Sequence, residues 1–429
     1  MHNITNLASK PVSDRPIIVV KIGTSTLMRD RSSPRSTTIS SAAGEGLEDG
    51  TVELAVSTLG LLVDTLLTLR RRKYDVILVT SGAVGVGCRE LGISKRPNVA
   101  NAKTSEERAR ILADIQAYAA VGQSVLMRTY DALMRMANQK TAQILLTSGD
   151  LSTEYQYVNA KNTISALLRM GVIPVVNEND TTATEELKYG DNDWLSALVS
   201  TAVGAQWLFL LTDVDQLYTS NPRVDPKAKP IDIVPNIESL QVNLSSNTTG
   251  TQWGTGGMKT KITAARLATA AGVRVCLIHG RYPSRVVDFV GDSPNRRGTL
   301  FEPLGRPLEI ERKKWFSNCL PPRGVITISR EAESLLRAGF SLHTSGVISC
   351  KDRFEENSPV SICSENGLEL ARGFCNYSSA YLEKYGGKSA REISKILCFP
   401  VSDIVVHGDN LALLVDITSD DSEANGFLP

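Results

Sequence analysis

Histidine is scarce in this chain: four residues in 429, His2, His279, His343 and His407, none of them inside a polar motif. No Cys–His or Ser–His–Asp set is apparent, so a hydrolase built on an activated nucleophile lacks its base. The seven cysteines, Cys88, Cys276, Cys319, Cys350, Cys363, Cys375 and Cys398, are odd in number and scattered, with no C-x-x-C pair. That argues against a disulfide framework or a zinc site and fits a reducing compartment. Long apolar runs are missing as well. Met1–Lys10 is polar with no apolar segment behind it, and Pro16–Ile22 is far too short to cross a bilayer. A soluble, cytoplasmic protein is expected. Nor is there an excess of charge: 47 Lys+Arg face 46 Asp+Glu, a net +1, which gives no general pull toward nucleic acid or an anionic membrane.

What is present is an alternation. Short apolar runs, the first of them β-branched, read as strands: Ile17–Val20, Val76–Val79, Ile144–Leu146, Val172–Val176, Trp207–Leu211 and Val273–Ile278. Between them, helical spacing is expected over about Val52–Arg72, Glu106–Met136, Val158–Met170, Asp193–Val203 and Thr260–Ala271. Such alternation implies βαβ units, a mainly parallel open sheet sandwiched by helices, and ligands at the carboxyl ends of the strands. Residues 30–50 are rich in Ser, Thr, Gly and charge and read as a flexible insertion. After Pro321-Pro322 the pattern changes to short β-like runs, Val325–Ile328, Val347–Ser349, Val360–Cys363, Ala371–Phe374 and Ile404–Val406, so a small β-rich domain is expected over 323–418. Residues 1–15 and 419–429 read as tails.

Five polar motifs stand at the expected strand ends. Lys21-Ile22-Gly23-Thr24-Ser25 places a cation beside a glycine, where backbone N–H groups can approach an anion; alone, such a lysine is usually a solvated strand end. Thr80-Ser81-Gly82-Ala83 suits a carboxylate or phosphate, or equally a tight turn. Asn177-Glu178-Asn179-Asp180 and Tyr189-Gly190-Asp191-Asn192-Asp193 hold seven Asn, Asp or Glu in these nine residues plus the preceding Val176. One such stretch is normally a solvated loop; two beside buried strands favour a site able to bind an α-amino group and orient lysines. Thr212-Asp213-Val214-Asp215 follows another strand. Gly254-Thr255-Gly256-Gly257-Met258-Lys259-Thr260-Lys261 is no Walker A, because no Gly-Lys-Ser/Thr closes it, yet Gly-rich backbone and lysine at a helix start cradle phosphates by the same physics. His279 reads as structural. Two lysines, several carboxylates and Gly-rich turns together suit phosphoryl transfer, where positioning and charge neutralisation dominate.

As a set these motifs resemble the amino-acid kinase family over about Pro16–Phe301, and within it the branch that phosphorylates the side-chain carboxylate of L-glutamate, the first step of proline biosynthesis. Val325–Val415 resembles a PUA domain, a small β-rich barrel. The resemblance implies a kinase domain over 16–318. It implies Lys21 and Lys261 on the transferred phosphoryl group, with Asp193 holding both. It implies Ser81, Asn177, Asp180, Asp191 and Asn192 around glutamate. It implies Thr212, Asp213 and the turn Thr255, Gly256, Gly257, Met258, Lys259, Thr260 and Lys261 around ATP. Mg²⁺ carried on the ATP phosphates, feedback by proline, a homo-oligomer and a hand-off of product to a glutamyl-phosphate reductase are implied as well. No direct protein ligand to the metal is assigned. The chain departs from the family pattern at 30–50 and in the charged stretch near 94–110, away from these residues.

Two other readings compete. An aspartokinase-like enzyme would differ in substrate length, which substrate profiling separates. An RNA-binding protein acting through the PUA-like domain is disfavoured, because residues 323–418 hold ten Lys+Arg against twelve Asp+Glu, 10 − 12 = −2.

Overall fold

The computed structural model describes residues 15–30, 52–147, 150–151, 154–182, 192–222, 225, 227–240, 257–303, 322–356, 358–397, 402–408 and 411–413. The two expected tails except Arg15, nearly all of the 30–50 insertion, and Pro321 lie outside them. The chain divides into two units, Met1–Pro307 and Leu308–Pro429.

In the first unit the apolar runs form strands, two of which at the centre of the sheet have every residue buried. They are β1 (Ile17–Ile22), with the short turn α1 (Thr24–Leu27) behind it, and, further on, β4 (Asp75–Val79). Between them a small antiparallel pair, β2 (Met28–Asp30) and β3 (Val52–Leu54), brackets residues 31–51 and sets Asp30 opposite Val52. Val52–Leu54 was expected as helix; backbone pairing with a segment more than twenty residues away overrides the helical spacing, and the helix α2 begins only at Val56 (Val56–Arg71). Its buried residues Leu59, Leu62, Val63, Leu66 and Leu69 fall at the helical period and pack on Ile18, Val20, Val76 and Leu78 of the sheet.

After β4 come α3 (Ala83–Glu90), α4 (Ser105–Arg135) and β5 (Thr141–Leu146). The series continues through α5 (Glu154–Arg169), β6 (Ile173–Glu178), α6 (Asn192–Ala202) and β7 (Trp207–Thr212). Three short strands follow, β8 (Leu217–Tyr218), β9 (Pro230–Ile231) and β10 (Ile233–Val234). The unit closes with α7 (Met258–Ala270), β11 (Arg274–His279), α8 (Arg285–Val290) and β12 (Thr299–Phe301). The eight-stranded sheet has the order β10-β12-β11-β7-β1-β4-β6-β5. The six strands from β11 to β5 are mutually parallel; β12 runs antiparallel to β11. From β1 the chain builds outward first through β4 and β6, then on the other flank through β7 and β11. The end of β1 is therefore the point where strand order reverses, the place where open α/β sheets bind ligands.

Helix α3, a Gly-containing stretch with little helical propensity, is the element least expected from local preference. Its glycines are explained by α4. A Cβ on Gly87 would overlap the Tyr118 carbonyl oxygen, and one on Gly122 would overlap the Ala83 carbonyl oxygen, so the two backbones touch directly. Gly82, which caps α3, sits at φ +100°, a conformation that favours glycine and turns the chain sharply off β4.

The second unit is built from β13 (Gly324–Ile328), α9 (Arg330–Arg337), β14 (Leu342–His343), β15 (Val347–Lys351), β16 (Ser358–Cys363) and β17 (Glu369–Cys375). It continues with α10 (Ser379–Tyr385), α11 (Ala390–Leu397), β18 (Ile404–Val406) and β19 (Leu411–Leu413). Among the described residues the strands form an open sheet, β15-β13-β16-β17-β19, and a separate pair β14-β18, not the closed barrel that was expected. Three helices were also missed. Two of them start at serine caps, Ser329 accepting from the Ala332 N–H and Ser378 from the Tyr381 N–H. Ile326, Ile328, Leu336, Val360, Ile362, Leu382 and Val406 make this unit's own core.

Three outcomes follow from this architecture. Gly122→Ala is expected to lower unfolding free energy in urea by roughly 1–3 kcal/mol or more through overpacking against α3. Gly60→Ala, at an exposed helix position with nothing within 4 Å of the new Cβ, is expected to raise it by about 0.5–1 kcal/mol. Replacing residues 31–51 by Asn-Gly, which joins the paired ends Asp30 and Val52 as a two-residue hairpin, is expected to leave the melting temperature unchanged within a few degrees. Loss of folding in that variant would assign 31–51 a structural task.

Candidate active site

Lys21 is the fifth residue of β1, Asp193 the second of α6 and Lys261 the fourth of α7. The fold brings these three together. Asp193 Oδ1 lies 2.5 Å from Lys21 Nζ and Oδ2 lies 3.2 Å from Lys261 Nζ. Thr260 Oγ1 also donates to Asp193 Oδ2, at 3.1 Å. Relative exposure is 0% for Asp193, 3% for Lys21 and 8% for Lys261. Burial on its own would raise the Asp193 carboxyl, but the two ammoniums and their hydrogen bonds outweigh it and hold the group well below the usual carboxylate range. Its place in the first turn of α6 adds the favourable end of the helix dipole. Two ammoniums and one carboxylate leave the cluster at 2 − 1 = +1. Each ammonium has three donors, so both can hold the carboxylate and still reach an incoming anion. Gly23, beside Lys21, leaves no side chain there; its N–H donates to the Leu211 carbonyl and ties the end of β1 to β7.

On the β7–β11 flank, Thr212 is buried and donates from Oγ1 to Asp213 Oδ1 at 3.0 Å. Gly280 N–H, just past β11, donates to the Thr212 carbonyl. Gly257 caps α7, with Met258 half-buried and Lys259 exposed in its first turn. Thr255 and Gly256 lie outside the described residues, as does Asp191. His279 ends β11 with Nδ1 accepting from the Arg281 N–H. Burial, then Arg281 and Arg285, lower its pKa and favour the neutral imidazole.

On the β4–β6 flank, Ser81 is buried at the end of β4, next to Thr80, whose Oγ1 is 2.8 Å from the Tyr130 hydroxyl of α4. Asn177, on β6, donates from Nδ2 to Gln123 Oε1 of α4 at 2.7 Å and accepts the Glu178 N–H on Oδ1 at 3.0 Å. Asn192 Oδ1 accepts the same N–H at 3.1 Å. Asp180 is half-buried; desolvation pushes its carboxyl up to about 6, with the Arg96 charge pulling the other way. Gln123, Tyr130 and Arg96 were not singled out from the sequence. A signal for Gln123 existed: α4 buries Ala119, Gly122, Leu126, Tyr130 and Met134 at helical spacing, and Gln123 is a polar residue inside that stripe.

Among the described residues no group of three or more His, Cys, Asp or Glu is gathered to hold a metal ion. No described helix is long and apolar enough to cross a membrane. A buried lysine–carboxylate–lysine cluster at the switch point of a parallel sheet, flanked by a Gly-capped helix start and a polar pocket, is the equipment of a phosphotransferase acting on an anion.

The amino acid kinase family model matches residues 16–279 and the PUA domain model residues 324–397. The chain belongs to the amino acid kinase family. It is 44% identical over 398 residues to a glutamate 5-kinase of a Cyanothece strain, covering 92% of this chain and 99% of the relative. The glutamate 5-kinase of Rippkaea orientalis is 44% identical over 397 residues, 92% and 98% of the two chains. That of Synechococcus elongatus is 45% identical over 361 residues, 84% and 94%.

The Asp193 geometry sets a pH dependence. A depressed native pKa contributes stability that is present above the unfolded value of about 3.9 and is lost as pH falls below it. Acid unfolding followed by circular dichroism between about pH 5 and 2 is expected to be steep in the parent protein and flatter in Asp193→Asn. At neutral pH that variant is expected to be less stable by roughly 3–5 kcal/mol, because it leaves two buried ammoniums uncompensated. An unchanged acid limb would show that Asp193 is not held between the lysines in solution.

Proposed function

We propose that the chain transfers the γ-phosphoryl group of ATP to the side-chain carboxylate of L-glutamate, giving L-glutamyl 5-phosphate and ADP. The observation that carries this reading is the Lys21–Asp193–Lys261 cluster at the reversal point of the sheet. Relatives named glutamate 5-kinase, aligned over nearly their whole length, support the choice of substrate. The acceptor has a pKa of about 4.3 and is already ionised at pH 7, so no general base is required. What must be overcome is the approach of one anion to another. In this reading Lys21 and Lys261 meet that need with positive charge held in place by Asp193, which spares the reorganisation that water would require. Thr212, Asp213 and the turn Thr255–Lys261 take the nucleotide, and Ser81, Asn177, Asp180, Asp191 and Asn192 lie in or near the site for the amino acid.

A Mg²⁺ fits this donor set when carried on the nucleotide phosphates, since the described residues offer no carboxylate nest of their own. When bound it supplies further neutralisation of phosphate charge. The same reading carries inhibition by proline, a homo-oligomer, a cytoplasmic location and delivery of the labile acyl phosphate to a reductase.

ATP-dependent hydroxamate formation with glutamate, compared with aspartate and N-acetylglutamate, tests the activity; a preference for aspartate would move the chain to the aspartokinase reading. Lys21→Met and Lys261→Met are each expected to lower kcat by about 10²–10³ with a smaller change in KM. Asp180 adds a pH signature. Its carboxylate is available to a substrate ammonium only above about 6, so the KM for glutamate is expected to rise as pH falls through that value while the KM for ATP stays level. In Asp180→Asn the glutamate KM is expected to be high at every pH. A pH-independent glutamate KM in the parent enzyme would remove Asp180 from the pocket.

A further inference from the structure

The hydrogen bonds beneath the β6 end have a fixed polarity. A backbone N–H can only donate. The Glu178 N–H is shared by Asn177 Oδ1 and Asn192 Oδ1, a three-centre arrangement, so in both side chains the carbonyl oxygen is the end turned toward it. Asn177 must then turn its NH₂ to Gln123, whose Oε1 accepts it at 2.7 Å. Asn177 is 1% exposed and Gln123 9%, so neither amide has bulk water as an alternative partner. Asn192 is half-buried and is the member of the series nearest solvent. With its oxygen turned to that N–H, the end of the side chain left to face a ligand is its NH₂, a donor.

We infer that Gln123 is a positioning residue which, through Asn177 and the Glu178 N–H, fixes Asn192 as a donor for the α-carboxylate of the amino acid, leaving the ammonium to Asp180. This rests on the proposed glutamate-phosphorylating activity and adds a division of labour within its pocket. Chemistry favours the assignment. An ammonium needs acceptors, and the polarity of this series turns the Asn192 oxygen back to the strand and its NH₂ outward. The α-carboxylate and ammonium of an amino acid share one carbon, so their holders must converge. Asp180 leaves β6 three residues after Asn177, and Asn192 is bonded back to the same strand end. The side-chain carboxylate, which reacts, is left for Lys21 and Lys261. Helix α4 serves as the fixed support: Gln123 and Tyr130, seven residues apart and so on one face, reach Asn177 on β6 and Thr80 past β4.

Three ligands separate the roles in the full-length enzyme: glutamate, 4-aminobutyrate, which lacks the α-carboxylate, and glutarate, which lacks the ammonium. Inhibition constants of the two analogues and the KM for glutamate are measured in the parent enzyme, Gln123→Leu, Gln123→Glu and Asn192→Asp. Gln123→Leu is expected to raise the glutamate KM and the glutarate constant by about tenfold, the usual effect of losing one buried hydrogen bond, and to leave the 4-aminobutyrate constant within twofold. Gln123→Glu, which keeps an acceptor opposite Asn177, is expected to recover most of that loss. Asn192→Asp turns the donor into an acceptor and is expected to show the same pattern more strongly; it carries the test if Gln123→Leu does not fold. Equal rises for both analogues would make Gln123 merely structural and overturn the inference. A rise confined to 4-aminobutyrate would show that the amides face the ammonium and overturn it as well. Absence of any glutamate-dependent turnover in the parent enzyme would instead refute the proposed function itself.

Discussion

A single buried carboxylate holds the working parts of this protein in register. Asp193 touches β1 through Lys21 and α7 through Lys261, while its own backbone starts α6. Three elements that approach the sheet from different directions thus meet at one group. Three charges with exposures of 0 to 8% carry a large desolvation cost, and such clusters seldom stabilise a fold more than apolar packing of the same volume would. What the arrangement provides is lysine nitrogens fixed in place with charge to spare. Lysine suits that task better than arginine: a compact ammonium can accept one carboxylate contact and keep donors aimed elsewhere, whereas a guanidinium fork tends to spend its donors on one planar partner.

The remaining structure gives this cluster a rigid setting. Gly87 and Gly122 let α3 and α4 meet backbone to backbone, which fixes α4 close under the β4 and β6 ends. From that position Gln123 and Tyr130 reach polar groups at two strand ends without crossing a layer of side chains. A Cβ at either glycine would meet a backbone oxygen closer than 2 Å and force the two helices apart, so this packing contact bears on where the polar groups of α4 stand.

Much of this was legible in the sequence. The strands of the parallel sheet are short apolar runs that can be recognised without a partner, and the polar motifs stand out because they stand at the ends of such runs. Lys21, Asp193 and Lys261 could each be singled out; that they meet is a fact of topology, since 172 residues separate Lys21 from Asp193 (193 − 21 = 172). Features set by non-local pairing were not legible. Val52–Leu54 reads as the start of a helix until Met28–Asp30 is placed beside it. Helix α3 has no range in the sequence reading because its glycines serve α4 rather than their own helix. In the second unit short capped helices hid among β-like runs, and a sequence pattern of alternating strands cannot tell an open sheet from a closed barrel. Gln123 was missed because a single glutamine in an amphipathic helix carries no motif; only its place in a buried stripe marks it.

The position of β1 explains how one sheet can serve two anionic ligands. On one side of β1 the neighbouring strand ends carry Thr212 and Asp213; on the other they carry Ser81, Asn177 and Asp180. Under the proposed reading the nucleotide approaches from the first flank and the amino acid from the second, and the transferred group crosses over the end of β1. The positive charge must then stand on the boundary itself, where Lys21 is, rather than on either flank. A cation placed within one pocket would favour that pocket's ligand in the ground state and would not lower the barrier between the two. Binding Lys21 to a carboxylate delivered by α6 and shared with α7 keeps it on that boundary. This accounts for a buried ion cluster at the one strand whose two neighbours belong to different halves of the sheet.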